Sequence, residues 1–488
     1  MSYILAIDQG TTNSRAIIFD RQGHPIVQHE LALTQYFPKE SWVEQDPDEM
    51  FNNTVTCCHE ALRKAGVEIA AIGISNQRET TIIWDKQTGK PIYPAIVWQD
   101  RRTTEICKQF SAHPIAKKIQ EKTGLVLDPY FSATKIYWIL ENVPHACEKA
   151  DRGELLFGTV DTYLLWKLTG GKSHATDATN ASRTLLFNIV TQEWDEEILK
   201  AFHIPKNLLP KVLDSSADFG VTDKAILGKT IPITGIAGDQ QAATVGQACF
   251  ETGMVKTTYG TGGFMLLNTG NKLIQSRHQL LSTIAYRLNN EVKYGLEGSI
   301  FCAGATIKWL RDNLKIIKNA TDTEILAKEL DDNGGVYLVP AFTGLGAPYW
   351  KPEARGMITG LTRNSNTSHI ARAGLEAVAY QTLDLLEAMQ NDSNTKLEVL
   401  RVDGGMVANN WLLQFISDIL ELRLERPSCI ETSALGAAFL AGLHVGIYSS
   451  LDEIAKLWHS NATFNPAQNK NLREKNYAGW KQALKQLC

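Results

Sequence analysis

Ala6-Ile7-Asp8-Gln9-Gly10-Thr11-Thr12-Asn13-Ser14, near the start of the chain, has an echo about half a chain later: Thr257-Thr258-Tyr259-Gly260-Thr261-Gly262-Gly263-Phe264-Met265. Each is an apolar strand, a Gly-Thr turn and a second apolar strand, followed by a further turn at Arg21–His24 or Thr269–Lys272. Hairpin turns favour glycine in any protein, so two of them arise by coincidence as well as by duplication. Read as a duplication, they predict two similar halves with a boundary near residues 245–256. Each half then opens with a phosphate-facing hairpin, and the domains are 1–250 and 251–488.

The surrounding elements alternate between strand and helix. Tyr3–Ile7 and Ala16–Asp20 read as strands, as do Ala70–Ser75 and Thr80–Trp84. Between them Asp46-Pro47-Asp48-Glu49 reads as a helix start, with Asp46 as N-cap, Pro47 at the first position and Glu49 closing a capping box. Gly66 stands where that helix should stop. Helical spacing continues over Ala305–Lys318, Ser368–Gln390, Trp411–Leu420 and Ala434–Leu443, the last rich enough in Ala and Gly for close packing. Alternation of this kind predicts an α/β architecture.

Composition excludes several classes. The 488 residues include 49 Lys+Arg against 53 Asp+Glu, a net charge of −4, and 44% are hydrophobic. That is neither collagen-like, coiled-coil nor disordered, and a nucleic-acid binder would carry a strong basic face. Eight cysteines form no Cys-x-x-Cys pair, and there is no His-Glu-x-x-His, so zinc and redox motifs are excluded and the thiols are expected to be reduced and structural. No apolar run approaches the roughly 18 residues of a membrane span, and the expectation is a soluble, cytoplasmic chain. Asp223-x4-Gly228-Lys229-Thr230 mimics a Walker A loop, but Asp replaces its first Gly and Ile231-Pro232 blocks the helix that must follow. With no Gly-x-Gly-x-x-Gly either, a dinucleotide cofactor is not expected.

Four stretches carry candidate chemistry. In the Asp8–Arg15 turn, Gly and Thr backbones let several N–H groups share one concavity, and Thr11, Thr12 and Asn13 add side-chain donors. Arg15 adds positive charge, and Asp8, at a strand end, is placed to hold Mg2+; an Asx-stabilised hairpin is the structural alternative. Gly404-Gly405 precedes a helix, an arrangement that suits an anion or a nucleotide edge, with Asn409 or Asn410 equally able to serve as a cap. Arg78-Glu79 between two strands is either surface charge or a donor–acceptor pair for hydroxyls. Asp239 follows the apolar run Ile231–Ala237 and so sits at a strand end, where α/β proteins place chemistry as well as structural carboxylates.

Together these stretches resemble the FGGY carbohydrate kinases, and within them the members that act on glycerol. The resemblance runs from about Tyr3 to Gly446 and rests on Asp8-Gln9-Gly10-Thr11-Thr12, Asn76-Gln77-Arg78-Glu79-Thr80, Trp98-Gln99-Asp100-Arg101-Arg102 and Asp128-Pro129-Tyr130-Phe131-Ser132, with Phe157–Thr162, Ala237–Gln241 and Phe342–Trp350. It implies two RNase H-like domains of the actin-like ATPase fold around a deep cleft. It also implies ATP and Mg2+ as cofactors, glycerol as substrate, ADP and sn-glycerol 3-phosphate as products, and a homodimer or homotetramer with no nucleic-acid or membrane partner.

By motif match, Arg78, Glu79, Tyr130, Asp239 and Gln240 would bind glycerol's hydroxyls, with Trp98 and Phe264 on its carbons and Asp239 as general base. Thr11, Thr12, Asn13, Arg15 and Thr261 would face the phosphates, and Gly304, Gly405 and Asn409 the nucleoside. A weakly acidic chain would then collect its positive charge at Arg15 and Arg78. Three positions depart from the family pattern. Asn13 stands where many relatives carry Ser. Lys308 stands where the bacterial pattern has Gln. The Asp223–Thr230 loop is one residue shorter than in regulated members and lacks their Arg, so weak or absent inhibition by fructose 1,6-bisphosphate is expected. Alternatives are a kinase for another small polyol or a ketose, or an actin-like ATPase without a small substrate, which needs the hairpins but not the substrate set.

Overall fold

The computed structural model describes residues 2–351, 353–467 and 470–487. Cys488, one of the eight thiols, lies outside them; the other seven are unpaired, and five of these are buried. Two sheets organise the chain. The first has five strands in the order Ile233–Gly238, Ile69–Asn76, Tyr3–Gln9, Asn13–Phe19, Pro25–Ala32. The second has seven, in the order Leu281–Leu288, Glu291–Ile300, Gly263–Gly270, Val255–Tyr259, Val399–Asp403, Arg423–Pro427, Ser460–Phe464. In each sheet the strand before the Gly-Thr turn pairs antiparallel with the strand after it, and parallel, on its other edge, with a strand reached by a long crossover. The two quoted stretches therefore occupy equivalent places in two similarly wound sheets, as a duplication requires.

Ile4–Gln9 is buried throughout because both faces of its sheet are covered. On one face lies the helix Pro47–Ala65. It begins as the sequence predicts, with the Asp46 carboxylate accepting from Asp48 N, and ends at Gly66 with φ 61°. The predicted capping box does not form: Glu49 accepts instead from the backbone N and hydroxyl of Thr34, at 3.0 and 2.9 Å, tying the loop before the helix to its first turn. The predicted strand at Thr80 starts later, at Ile82, because Glu79 turns the chain through a left-handed conformation at φ 60°. The helix expected over Ala305–Lys318 spans Gly304–Asp312, and the chain then reverses through Lys315 (φ 57°) while Ile317 still reaches the core.

The other face of the first sheet is covered from far along the chain, by the helix Thr432–His444. Its approach is so close that side chains are excluded from the seam. A Cβ on Gly436 would sit 1.8 Å from Ala242 O, one on Gly246 2.1 Å from Thr432 O, and one on Gly73 2.1 Å from Ala437 O. The apolar cluster here mixes both halves: Ile4, Ala6, Ile17 and Phe19 pack with Leu266 and Tyr286, and with Ala434, Leu435, Phe439 and Leu440.

Candidate active site

Asp239 directly follows the strand Ile233–Gly238 and opens the helix Asp239–Gly246, so it stands at a carboxyl-terminal edge of the sheet. Its carboxylate is 32% exposed, accepts from Gln240 N at 2.7 Å and is ion-paired with Arg78, whose Nε lies 3.1 Å away. Burial raises its pKa above the usual aspartate value, against the pull of Arg78 and Lys256. Arg78 is itself buried. A Cβ on Gly238 would lie 2.7 Å from its aliphatic stem, so the glycine makes room for it. Its guanidinium grips Glu297, while Glu79 is held by Arg183 Nε at 2.6 Å. Burial raises the pKa of Glu79 and would raise that of Glu297, but the two arginines bring Glu297 below its ordinary value.

Beside these charges stands a cage of aromatic rings. Trp98 meets Tyr130 edge-on at 5.7 Å and Phe264 at 5.9 Å, and the Arg78 guanidinium lies 5.8 Å from the Phe264 ring. Such walls suit a short carbon skeleton, with hydroxyls turned to the carboxylates. The indole N–H of Trp98 donates to Thr11 Oγ1 at 2.9 Å, joining the cage to the first Gly-Thr turn. Thr12 is exposed there and Asn13 partly so.

Two expectations change at this point. Arg15 is not a free positive charge: it donates to Asp8 at 2.5 Å and to Glu431, the residue before the Thr432 helix, at 2.6 Å. Gln240 has already given its side-chain oxygen to Lys256 Nζ, at 2.5 Å, which leaves only its amide N–H groups for a ligand. Lys256 also donates to Thr258 Oγ1 at 3.0 Å, and burial lowers its pKa against Asp403 and Asp239.

The second Gly-Thr turn opens onto a separate cleft of about 390 Å3, whose wall includes Thr261, Gly304, Lys308, Gly405 and Asn409. Backbone contacts shape it. Gly304 N donates to Gly260 O at 3.0 Å, and Gly404, at φ 93°, brings the chain so near Tyr259 that a Cβ would lie 2.6 Å from its carbonyl oxygen. Asn409 caps the following helix through Leu412 N (2.9 Å), so the structural alternative holds for its oxygen while the residue still lines the cleft. Lys308 belongs to the same wall. Among the described residues no three His, Cys, Asp or Glu gather to hold a metal. Asp8, a single carboxylate in the strand Tyr3–Gln9 and paired with Arg15, suits a hard cation held mainly by phosphate oxygens and water.

Sequence reasoning missed Arg183, Lys256, Glu297 and Glu431. Two left a trace: Lys256 and Glu297 are lone charges in otherwise uncharged strand runs, Val255–Tyr259 and Tyr294–Ile300, which marks a buried and paired charge.

Residues 3–246 match the N-terminal domain of the FGGY family of carbohydrate kinases and residues 255–445 its C-terminal domain. The chain is 60% identical over 487 residues to glycerol kinase of Coxiella burnetii strain RSA 493, covering 99% of this chain and 97% of that one. It is 56% identical over 488 residues to glycerol kinase 1 of Pseudomonas aeruginosa, covering 99% of each. Among solved structures, Plasmodium falciparum glycerol kinase with ADP superposes with a TM-score of 0.93 at 40% identity, over 100% of this chain and 98% of that one. A xylulose kinase from Lactobacillus acidophilus shares the fold, with a TM-score of 0.87 at 23% identity over 100% of this chain and 97% of that one.

Proposed function

The chain belongs to the FGGY family of carbohydrate kinases, and on that premise we propose that it transfers the γ-phosphoryl group of ATP to a terminal hydroxyl of glycerol, giving sn-glycerol 3-phosphate and ADP. The observation that carries this reading is the aromatic cage of Trp98, Tyr130 and Phe264 set against Asp239 and the Arg78–Glu79 pair. Three bulky rings packed edge to edge beside the charges favour a short carbon skeleton over a longer sugar. Full-length relatives named glycerol kinase at 56–60% identity support the same substrate.

Asp239 acts as general base: its open carboxylate accepts the proton of the terminal hydroxyl as that oxygen attacks the γ-phosphorus in line. Arg78 and Glu79 hold the remaining hydroxyls, and the rings exclude water, which would otherwise compete as nucleophile. Thr11, Thr12, Asn13 and Thr261 supply donors to the phosphates, while Gly304, Gly405 and Asn409 border the nucleoside. Mg2+, bound with the nucleotide and Asp8, would neutralise charge on the transferring group. Residues 1–250 then form the glycerol and phosphate half and 251–488 the nucleotide half.

Asp239→Asn tests the assignment. Glycerol affinity, measured by calorimetry, should stay within a few-fold while kcat falls about 10²–10⁴-fold, the usual worth of a positioned base. A near-normal kcat would remove Asp239 from that role. In parallel, ATP consumption with glycerol, dihydroxyacetone, erythritol and xylulose should be highest with glycerol.

A further inference from the structure

Five side chains make an unbroken line of alternating charge beneath the cage: Asp239, Arg78, Glu297, Arg183, Glu79. Arg78 Nε meets Asp239 Oδ1 at 3.1 Å, and both terminal nitrogens of Arg78 donate to the Glu297 carboxylate, one of them at 3.1 Å. Arg183 Nη2 donates to Glu297 Oε1 at 2.9 Å and its Nε to Glu79 Oε1 at 2.6 Å. The middle of the line is sealed, with Glu297 and Arg183 at 0% exposure and Arg78 at 2%. Arg183 Nη1 has no hydrogen-bond acceptor among the described residues; the guanidinium lies 5.4 Å from the Phe131 ring and 5.7 Å from that of Tyr130.

The line crosses between the two sheets. Glu297 stands in the strand Glu291–Ile300 of the second sheet, whereas Arg78 and Asp239 follow strands of the first. A buried ionic set of this kind is weak evidence for stability, because desolvation offsets most of the attraction. What it does supply is geometry: two carboxylates at the ends, Glu79 hydrogen-bonded by Arg183 Nε and Asp239 ion-paired with Arg78, and one carboxylate in the middle that both arginines share.

We infer that Glu297 is a positioning residue for phosphoryl transfer. Through Arg78 and Arg183 it sets the separation and aim of Asp239 and Glu79, and so selects substrates whose hydroxyls match that spacing. This rests on the glycerol reading above and names the residue that enforces its selectivity. Arg183 takes the matching part on the Glu79 side and also backs Tyr130. Neither Glu297 nor Arg183 touches the substrate; they act through the residues that do.

The test is Glu297→Gln, which keeps the shape and removes the charge both arginines share, with Glu297→Asp, which keeps the charge and withdraws it by one methylene. With Glu297→Gln, kcat/KM for glycerol should fall about 10²-fold, the order that an ångström of misplacement costs. Selectivity for glycerol over propane-1,2-diol, which lacks one hydroxyl, should fall about tenfold or more, from the high ratio of a site built to bind that hydroxyl. The KM for ATP and the slow ATP hydrolysis without polyol should stay within about threefold of wild type. Glu297→Asp should recover part of the lost selectivity; if the Gln variant does not fold, the Asp variant carries the test through a smaller loss of the same kind. Unchanged glycerol selectivity overturns the inference. So does parallel loss of glycerol turnover and polyol-independent hydrolysis, which would make Glu297 merely structural. Wild-type protein that fails to phosphorylate glycerol at all would sink the underlying reading instead.

Discussion

At the scale of single residues, Trp98 joins two tasks. Its ring stands against Tyr130 and Phe264 in the aromatic cage, proposed above to wall the carbon site, and its N–H holds Thr11 in the first Gly-Thr turn. Trp98→Ala should therefore widen the cage, raising the erythritol-to-glycerol ratio of kcat/KM by about tenfold, within the range one pocket wall sets. An unchanged ratio in a substrate panel would show that the rings do not measure substrate length. The position of Asp239 after an apolar strand run marked it as a candidate, whereas Arg78 and Glu79 read equally as surface charge until the family resemblance singled them out; the structure brings the three to one charged line. Their pairings were not legible. Arg78 and Glu297 are 219 residues apart, and Glu79 and Arg183 are 104 apart. No local pattern encodes a pairing that only the folded topology brings about.

At the scale of elements, the helix Val160–Leu168 buries Asp161 in its first turn with hydroxyls rather than cations around it: Thr159 and Thr176 both donate at 2.6 Å. Burial pushes its pKa up to about 6, although these hydrogen bonds oppose the shift. The folded protein thus holds a proton that the unfolded chain releases near pH 4. That contribution to stability is present below pH 4 and lost as pH rises through 6. Asp161→Asn carries no such proton, so its stability relative to wild type should improve by about 2–3 kcal/mol between pH 4 and pH 7. Denaturant titrations at both values check this, and a flat or opposite difference would refute it. Helices and strands were mostly legible from apolar spacing, and the Ala- and Gly-rich run Ala434–Leu443 was correctly read as close packing. The ends were less so. Glu49 found a better partner in Thr34 than in its own helix, and the helix that begins at Gly304 stopped at Asp312 while the apolar pattern went on into a loop. Spacing records burial, and buried loops satisfy it too.

At the scale of the whole molecule, the duplicated hairpin foretold two similar sheets, but not that the Thr432–His444 helix returns to cover the first of them. Each half has a core of its own, one around Ile72 and Ile236 and one around Leu310 and Leu400, and a further cluster of Ile4, Phe19, Leu266 and Leu440 joins them. Heat or urea should then unfold the described fold in a single transition, with coincident curves from circular dichroism and from tryptophan fluorescence. Two resolved transitions would mean that the joining cluster does not couple the two cores.

The clamp on Arg15 has a consequence at longer range. Its charge is answered by Asp8 and Glu431, and that of Arg78 by Glu297 and Asp239, in a chain whose net charge is −4. Two guanidiniums set among four carboxylates form no basic funnel that would draw in an anionic nucleotide from a distance, and Lys308, in the wall of the second cleft, is a cation left to meet it at close range. Encounter is left to diffusion and recognition to close contact, where charges screened over about 10 Å in solution act at full strength.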